Sequence, residues 1–381
     1  MVAFVSGASG YLGSRLIPEL LDRGHPVTAG LRDPDRADRY SWADRVDAVA
    51  FDITDPETVR DALAGCTIAY YLVHSMAGPD FRRKDAEGAE RFAQACAEAQ
   101  VRQVVYVSGL VPNGELSDHL ASRLEVERIL LGGAVPALVL RAAVIVGAGS
   151  TSFELIRRLV ERLPVIPVPA WMHCQVQPVA AEDVVSTLAD LADAVARGEI
   201  RRGHHDLGGP DRLDYPDLIA LVAEELELPR PQLPFPAIPQ ALAGHAAALL
   251  TGIPRSTVVE LFKSLRHDMV CEPDAVLGTL PVAEAVRRAL AEEHTGTAAR
   301  GDRQTMADSD PEWVGGTVEV DPSGVRRHRH RSAVGQAVFV ASAAVGLGVI
   351  VGTTAARSAR RLQRRMTTFN ALVSAALPKV S

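Results

Sequence analysis

Residues Val2 to Gly13 read Val-Ala-Phe-Val-Ser-Gly-Ala-Ser-Gly-Tyr-Leu-Gly: an apolar strand runs into three glycines, Gly7, Gly10 and Gly13, at G-x-x-G-x-x-G spacing. An amphipathic helix follows over Ser14 to Arg23. Glycines in that setting let the backbone turn sharply and come close to a pyrophosphate, and the open N–H groups of a helix amino terminus bind phosphate oxygens. The residues expected to hold a dinucleotide are therefore Gly7, Ser9, Gly10, Tyr11, Leu12 and Gly13. A second strand, Val27 to Leu31, delivers Arg32 rather than the acidic side chain that would bind ribose hydroxyls. A guanidinium there grips a 2'-phosphate through charge-assisted, bidentate bonds. That points to NADP(H) as the preferred ligand, with NAD(H) as the alternative because Asp33 follows at once. The competing readings are a glycine turn without a ligand and a solvated Arg32 paired with Asp33 or Asp35.

The glycine pattern, Arg32-Asp33-Pro34, Asp52-Ile53-Thr54-Asp55 and Tyr71-Leu72-Val73-His74-Ser75-Met76 together resemble atypical members of the extended short-chain dehydrogenase/reductase superfamily. The nearest group is the bacterial NAD(P)H-binding, nucleoside-diphosphate-sugar epimerase-like proteins. The resemblance continues through Leu140 to Gly147, Gln177-Pro178-Val179, Asp206-Leu207-Gly208-Gly209-Pro210 and Ser264-Leu265-Arg266-His267-Asp268. It implies a Rossmann-type fold, with Asp52 and Ile53 flanking the adenine and Leu72, Val73 and His74 passing the nicotinamide ribose. For Asp52 the plainer reading is a strand-end cap.

Active members of the superfamily carry a serine at the end of the fifth strand and Tyr-x-x-x-Lys on the next helix. The tyrosine moves a proton while the nicotinamide moves a hydride. Ser108 stands at the serine position, but the helix reads His119-Leu120-Ala121-Ser122-Arg123. The catalytic candidates are thus Ser108, His119 and Arg123. One reading makes His119 the general acid or base, since an imidazole titrates near neutral pH, with Arg123 one turn on to disfavour its charged form. The chain is then an oxidoreductase or epimerase acting on a carbonyl/alcohol pair. The other makes the domain a regulatory or assembly module that binds the dinucleotide without turnover. His204, His205 and Asp206 are adjacent on a strand and face opposite sides, so no metal is expected.

Short aliphatic runs alternating with amphipathic helices position these residues, a succession of βαβ units that predicts an α/β fold with a doubly wound parallel sheet. Strands are expected at Val2 to Ser6, Val27 to Leu31, Ala48 to Phe51, Ile68 to Val73, Val104 to Ser108 and Ala137 to Arg141, with the best helix over Phe81 to Gln100. This dinucleotide-binding core occupies residues 1–150 of a domain extending to 295. Residues 150–295 form a smaller substrate-covering part, in which the passage Pro229 to Pro239 is expected to break any regular element.

The net charge of -7 argues against a nucleic-acid partner, leaving a small molecule. Four dispersed cysteines read as reduced, mostly buried thiols. Residues 296–331 are expected to be a flexible linker. Residues 332–356 hold no charged residue in 25 positions and form a candidate transmembrane helix, and residues 357–381 form a basic tail. Small residues such as Gly348 and Gly352 in the span suggest a homodimer. No leader-like segment precedes Val2, so the amino-terminal domain is expected in the cytoplasm, attached to the membrane by its C-terminal helix.

Overall fold

The computed structural model describes residues 1–73, 80–235, 238–298, 318–320 and 326–328, and the chain divides into two units, Met1–Gly316 and Thr317–Ser381. Six strands and four helices open the first unit: β1 (Ala3–Val5), α1 (Tyr11–Asp22), β2 (Val27–Leu31), β3 (Asp47–Ala50), α2 (Pro56–Ala62), β4 (Ile68–Tyr71), α3 (Phe81–Glu98), β5 (Gln103–Gly109), α4 (Asp118–Gly132) and β6 (Ala137–Ala142). The central strands are apolar on both faces because both are covered. Successive side chains point opposite ways, so Ala3 and Val5 join Leu16, Leu20 and Leu188 on one side while Phe4 joins Phe51, Phe92 and Val59 on the other.

Next come β7 (Ile145–Val146), α5 (Thr151–Arg162), β8 (Ile166–Pro169), β9 (Gln175–Val176), β10 (Val179–Ala180), α6 (Ala181–Ala196), β11 (Gly203–Gly208), β12 (Leu213–Asp214) and α7 (Tyr215–Glu225). The unit ends with β13 (Gln232–Phe235), α8 (Gln240–Thr251), α9 (Arg255–Ser264), β14 (Val276–Leu277) and α10 (Val282–Ala298). The main sheet has eight strands in the order β14-β11-β6-β5-β4-β1-β2-β3, every pair parallel. The order reverses between β1 and β4. Ligands of open parallel sheets bind outside the strand ends at such a reversal.

The structure differs from the sequence reading at three places. The passage Pro229 to Pro239 contains β13, which pairs in parallel with the equally proline-rich β8. A two-stranded ribbon tolerates proline because only one edge of each strand needs its N–H groups. The supposed linker 296–331 holds the end of α10 and, in the second unit, β15 (Val318–Val320) paired antiparallel with β16 (Arg326–His328). No helix among the described residues is long and apolar enough to cross a membrane, so the transmembrane helix is unsupported; residues 332–356 and the tail 357–381 lie outside the described residues.

Charged clusters fix the helices on the sheet. Arg141 on β6 makes two bonds to Glu127 of α4, at 3.1 and 2.5 Å, with Glu127 only 2% exposed. Arg23 and His25 bind Asp193 at 2.9 and 2.8 Å and so tie α1 to α6. Burial pushes the Asp193 carboxyl up, but hydrogen bonds from His25 and Arg23, and their charges, outweigh it and hold the carboxyl below the usual range. A folded-state value below the unfolded one stabilises the protein above the ordinary carboxylate range and loses that contribution as pH falls through the lowered value. Asp193→Asn should therefore lower the urea midpoint at neutral pH by the equivalent of about 1 kcal/mol or less, the pair being partly exposed. The gap between the two proteins should close in titrations run below about pH 4.

Candidate functional site

The order reversal of the sheet brings two loops together. Ser6 Oγ donates to the Tyr70 carbonyl at 2.8 Å and accepts from the Leu72 N–H at 3.0 Å, so one hydroxyl stitches the loop after β1 to the loop after β4. Gly7 lies in the left-handed region at φ +65°, with the Leu72 carbonyl 3.1 Å from where a Cβ would stand. The Gly10 N–H closes the turn onto the Gly7 carbonyl at 2.8 Å. A Cβ on Gly13 would overlap that same carbonyl oxygen and sit 3.0 Å from the Ala8 Cα. Gly10 caps α1 without a side-chain hydrogen bond, which leaves the helix amino terminus open toward an incoming ligand. First-turn N–H groups have no partner within a helix. Ser9 is exposed at the loop tip. Tyr11 lies under the Arg15 guanidinium, 4.0 Å from the ring centre, and Arg15 reaches across to the Ala148 carbonyl at 2.9 Å. These residues fit a diphosphate: the cradle is backbone, its close approaches exclude side chains, and its helix end carries partial positive charge.

The parallel register of Leu31 with Ala50 sets the ends of β2 and β3 side by side. Arg32, exposed, follows one and Asp52 the other. Asp52 Oδ1 accepts from the Thr54 N–H at 2.9 Å and its hydroxyl at 2.7 Å. Those two bonds, and then the Arg32 charge, hold the carboxyl below its ordinary value against a smaller effect of burial. Asp52 therefore caps its own turn as well as facing Arg32. Ile53 presses on α3 at Gly88, where a Cβ would come within 2.8 Å of Ile53 Cγ1. The Ile53 carbonyl accepts from Arg91 at 3.2 Å. Leu72 and Val73 follow β4; His74 lies outside the described residues.

Ser108 is the last residue but one of β5, its Oγ buried beside the Tyr106 phenol. Ser117 caps α4 by accepting from the Leu120 N–H at 3.3 Å, which puts His119 in the first turn and Arg123 in the second. Gly109 keeps the helix close: a Cβ there would lie 3.2 Å from Leu120 Cδ2. Arg123 Nε donates to His119 Nε2 at 3.1 Å and Nη1 donates to the Val107 carbonyl at 3.1 Å. Because a guanidinium has no acceptor, the His119 Nε2 is the unprotonated nitrogen in this arrangement, and the imidazole proton resides on Nδ1. Burial pushes the nearby Tyr106 phenol up, the Arg123 charge and hydrogen bonds with Ser108 and Arg123 opposing it.

One cavity of about 350 Å³ is walled by Gly10 to Gly13, Leu72, Val73, Ser108, His119 and Arg123. The structure thus brings the glycine turn, the β4 loop and the three catalytic candidates around a single space, with Arg32, Asp52 and Ile53 off its wall. Sequence reasoning missed the far wall, supplied by α5, α7 and α9. Helix α5 is clamped from behind by buried charges. Arg157 bonds Glu154 and Glu161, each at 2.6 Å, Arg158 donates to the Thr251 carbonyl at 2.8 Å, and Arg162 donates to that of Leu250. Its other face, with Leu155 and Leu159, opens on the cavity. The 3.6-residue spacing of those leucines was the available signal. Gln177, part of the resemblance, is a structural node: it donates to the Gly209 carbonyl at 2.8 Å and accepts from Arg212 and the Cys271 N–H, each at 3.1 Å. Cys66, Cys96 and Cys271 are buried thiols and Cys174 is partly buried.

The profile of a family described as NAD(P)H-binding matches residues 7–128, from the first glycine to the helix that carries His119 and Arg123. Residues 7–128 are therefore similar to an NAD(P)H-binding domain. It is similar to a dihydroflavonol 4-reductase of Dianthus caryophyllus, 32% identical over 120 residues, which are 27% of this chain and 32% of that protein. The chain therefore matches about a third of that relative's length. A ceramide reductase of Caulobacter vibrioides is 29% identical over 234 residues, covering 56% of this chain and 72% of that one. Among solved structures, the triphenylmethane reductase of Citrobacter sp. in complex with NADP(H) superposes with a TM-score of 0.60 at 16% identity. It covers 76% of this chain and 100% of its own, a likeness of fold alone.

Proposed function

We propose that this NAD(P)H-binding protein is an NADP(H)-dependent reductase of a carbonyl compound, running in reverse on the alcohol. The observation that carries the reading is the shared cavity, in which the open amino terminus of α1 and the Ser108, His119 and Arg123 set face the same space. The reductases among its relatives support it. The amides of the first turn of α1 hold the diphosphate and Arg32 holds the 2'-phosphate. NADPH held there would supply a hydride to the carbonyl carbon. Ser108 Oγ, buried beside the Tyr106 phenol, donates a hydrogen bond to the carbonyl oxygen. His119 Nδ1–H donates a second hydrogen bond to that oxygen and stabilises the negative charge that develops there, and the proton that completes the alcohol comes from water reaching the partly buried imidazole. Arg123, anchored on Val107, is a positioning residue that fixes the tautomer. The helix thus replaces the Tyr-x-x-x-Lys pair of active superfamily members with an arginine-oriented imidazole.

Cofactor choice tests the phosphate end of this reading. Arg32→Gln should weaken NADPH by about ten- to a hundredfold, the worth of charge-assisted bonds to a phosphate, and should change NADH affinity less than threefold. Fluorescence titration with both nucleotides checks it. Equal losses for the two would remove Arg32 from 2'-phosphate recognition.

A further inference from the structure

Sequence patterns carried no information about the substrate, but the walls of the cavity do. Besides Ser108, the space is lined by Leu155 and Leu159 of α5, Ile219 of α7, Leu261 and Phe262 of α9, and Leu265 just after it. Leu155, Ile219 and Phe262 are buried, and Leu155 and Phe262 belong to one apolar cluster between α5, α8 and α9. Among the described lining residues Arg123 is the sole charged side chain, and both of its donors described above are already committed to His119 and Val107. A nucleoside-diphosphate sugar needs cations for its two phosphates and hydrogen-bonding groups for its hydroxyls. Buried polar groups left unpaired cost about five- to 150-fold in affinity, and charged ones more, and this wall offers a sugar nucleotide no cation for its phosphates, although Thr151, Ser152, Tyr215 and Ser264 bring hydroxyls to it. An aliphatic or alicyclic chain, by contrast, gains affinity with every methylene moved out of water.

From this lining we infer that the substrate is a lipophilic ketone or aldehyde, its carbonyl at Ser108 and His119 and its hydrocarbon body against α5, α7 and α9. The inference rests on the reductase reading for its chemistry but on the cavity wall for its substrate class, and the two fail separately. The full chain, with and without saturating NADPH, is titrated calorimetrically with 2-butanone, 2-hexanone, 2-octanone and 2-decanone, and with UDP-glucose. Affinity should rise by about two- to fourfold per added methylene until the space is filled, and UDP-glucose should not bind. Leu261→Trp, which shortens the space, and Ile219→Thr, which replaces the ethyl arm of the side chain by a hydroxyl, should each flatten that dependence. The ratio of 2-decanone to 2-butanone affinity is the readout, and at least one of the two variants should lower it tenfold. A ratio near one in the parent protein, or preferential binding of UDP-glucose, overturns the substrate class whether or not NADPH binds. A steep chain-length dependence in protein that ignores NADPH upholds the lipophilic site and contradicts the reductase reading instead.

Discussion

Replacing Gly13 by alanine is expected to lower NADPH affinity by about a hundredfold. The new methyl group would overlap the Gly7 carbonyl oxygen and crowd the Ala8 Cα, both of them backbone, so neither can swing aside as a side-chain tip would. The loop must open or α1 must retreat, and either movement takes the amides of its first turn out of line with the phosphates. Hydrogen bonds to a charged group contribute about 1.5–3 kcal/mol each, so the loss of one or two accounts for the fall. Overpacking costs roughly 1–3 kcal/mol of stability as well, and a general loosening must be told apart from a local one. Gly65 supplies the control: it is left-handed at φ +75° with nothing near its missing Cβ. Gly65→Ala should reduce the urea midpoint through backbone strain while NADPH binds as before. Undiminished affinity in Gly13→Ala would show that the turn is not a phosphate cradle.

His119→Gln is expected to reduce turnover of a carbonyl substrate by about a hundred- to a thousandfold, the usual worth of one preorganised donor to a developing oxyanion, with NADPH affinity unchanged within twofold. Glutamine keeps an acceptor for Arg123 Nε, but its amide N–H is a weaker acid than the imidazole Nδ1–H and does not stand at the same place. Arg123→Met leaves the imidazole in place and removes what orients it, so a smaller loss, about tenfold in kcat with KM held, is expected from misalignment. The measurement is steady-state oxidation of NADPH, with binding followed separately. A rate in His119→Gln equal to that of the parent would make the His119 and Arg123 pair a polar face of α4 and favour binding without turnover.

The sheet was legible because its strands are short, apolar and separated by amphipathic helices. Val27–Leu31 matched to the residue, and the other five core strands matched to within two residues at either end. Burial on both faces makes such runs unambiguous in composition, whereas their ends depend on hydrogen-bond partners that no local pattern reveals. The glycine turn was legible for a different reason: its positive φ and close backbone approaches leave few residue types able to occupy it. What was not legible depends on distant pairing. Proline usually argues against a strand, yet β8 and β13 meet because residues over sixty positions apart need only a ribbon's worth of N–H groups. The apolar wall of the cavity is assembled from three helices, each of which reads singly as an ordinary amphipathic element. Tyr106 and Gly109 carried no pattern of their own; they matter because β5 places them beside Ser108.

The central claim is that the backbone after β1 and the cation after β2 hold the two phosphate groups of NADP(H), and a titration of the purified full chain with NADPH and with NADH tests it most directly. The expected result is saturable binding of NADPH, seen both as heat and as a change in nicotinamide fluorescence, at least tenfold tighter than binding of NADH. A protein that gives neither signal with either nucleotide would contradict the claim.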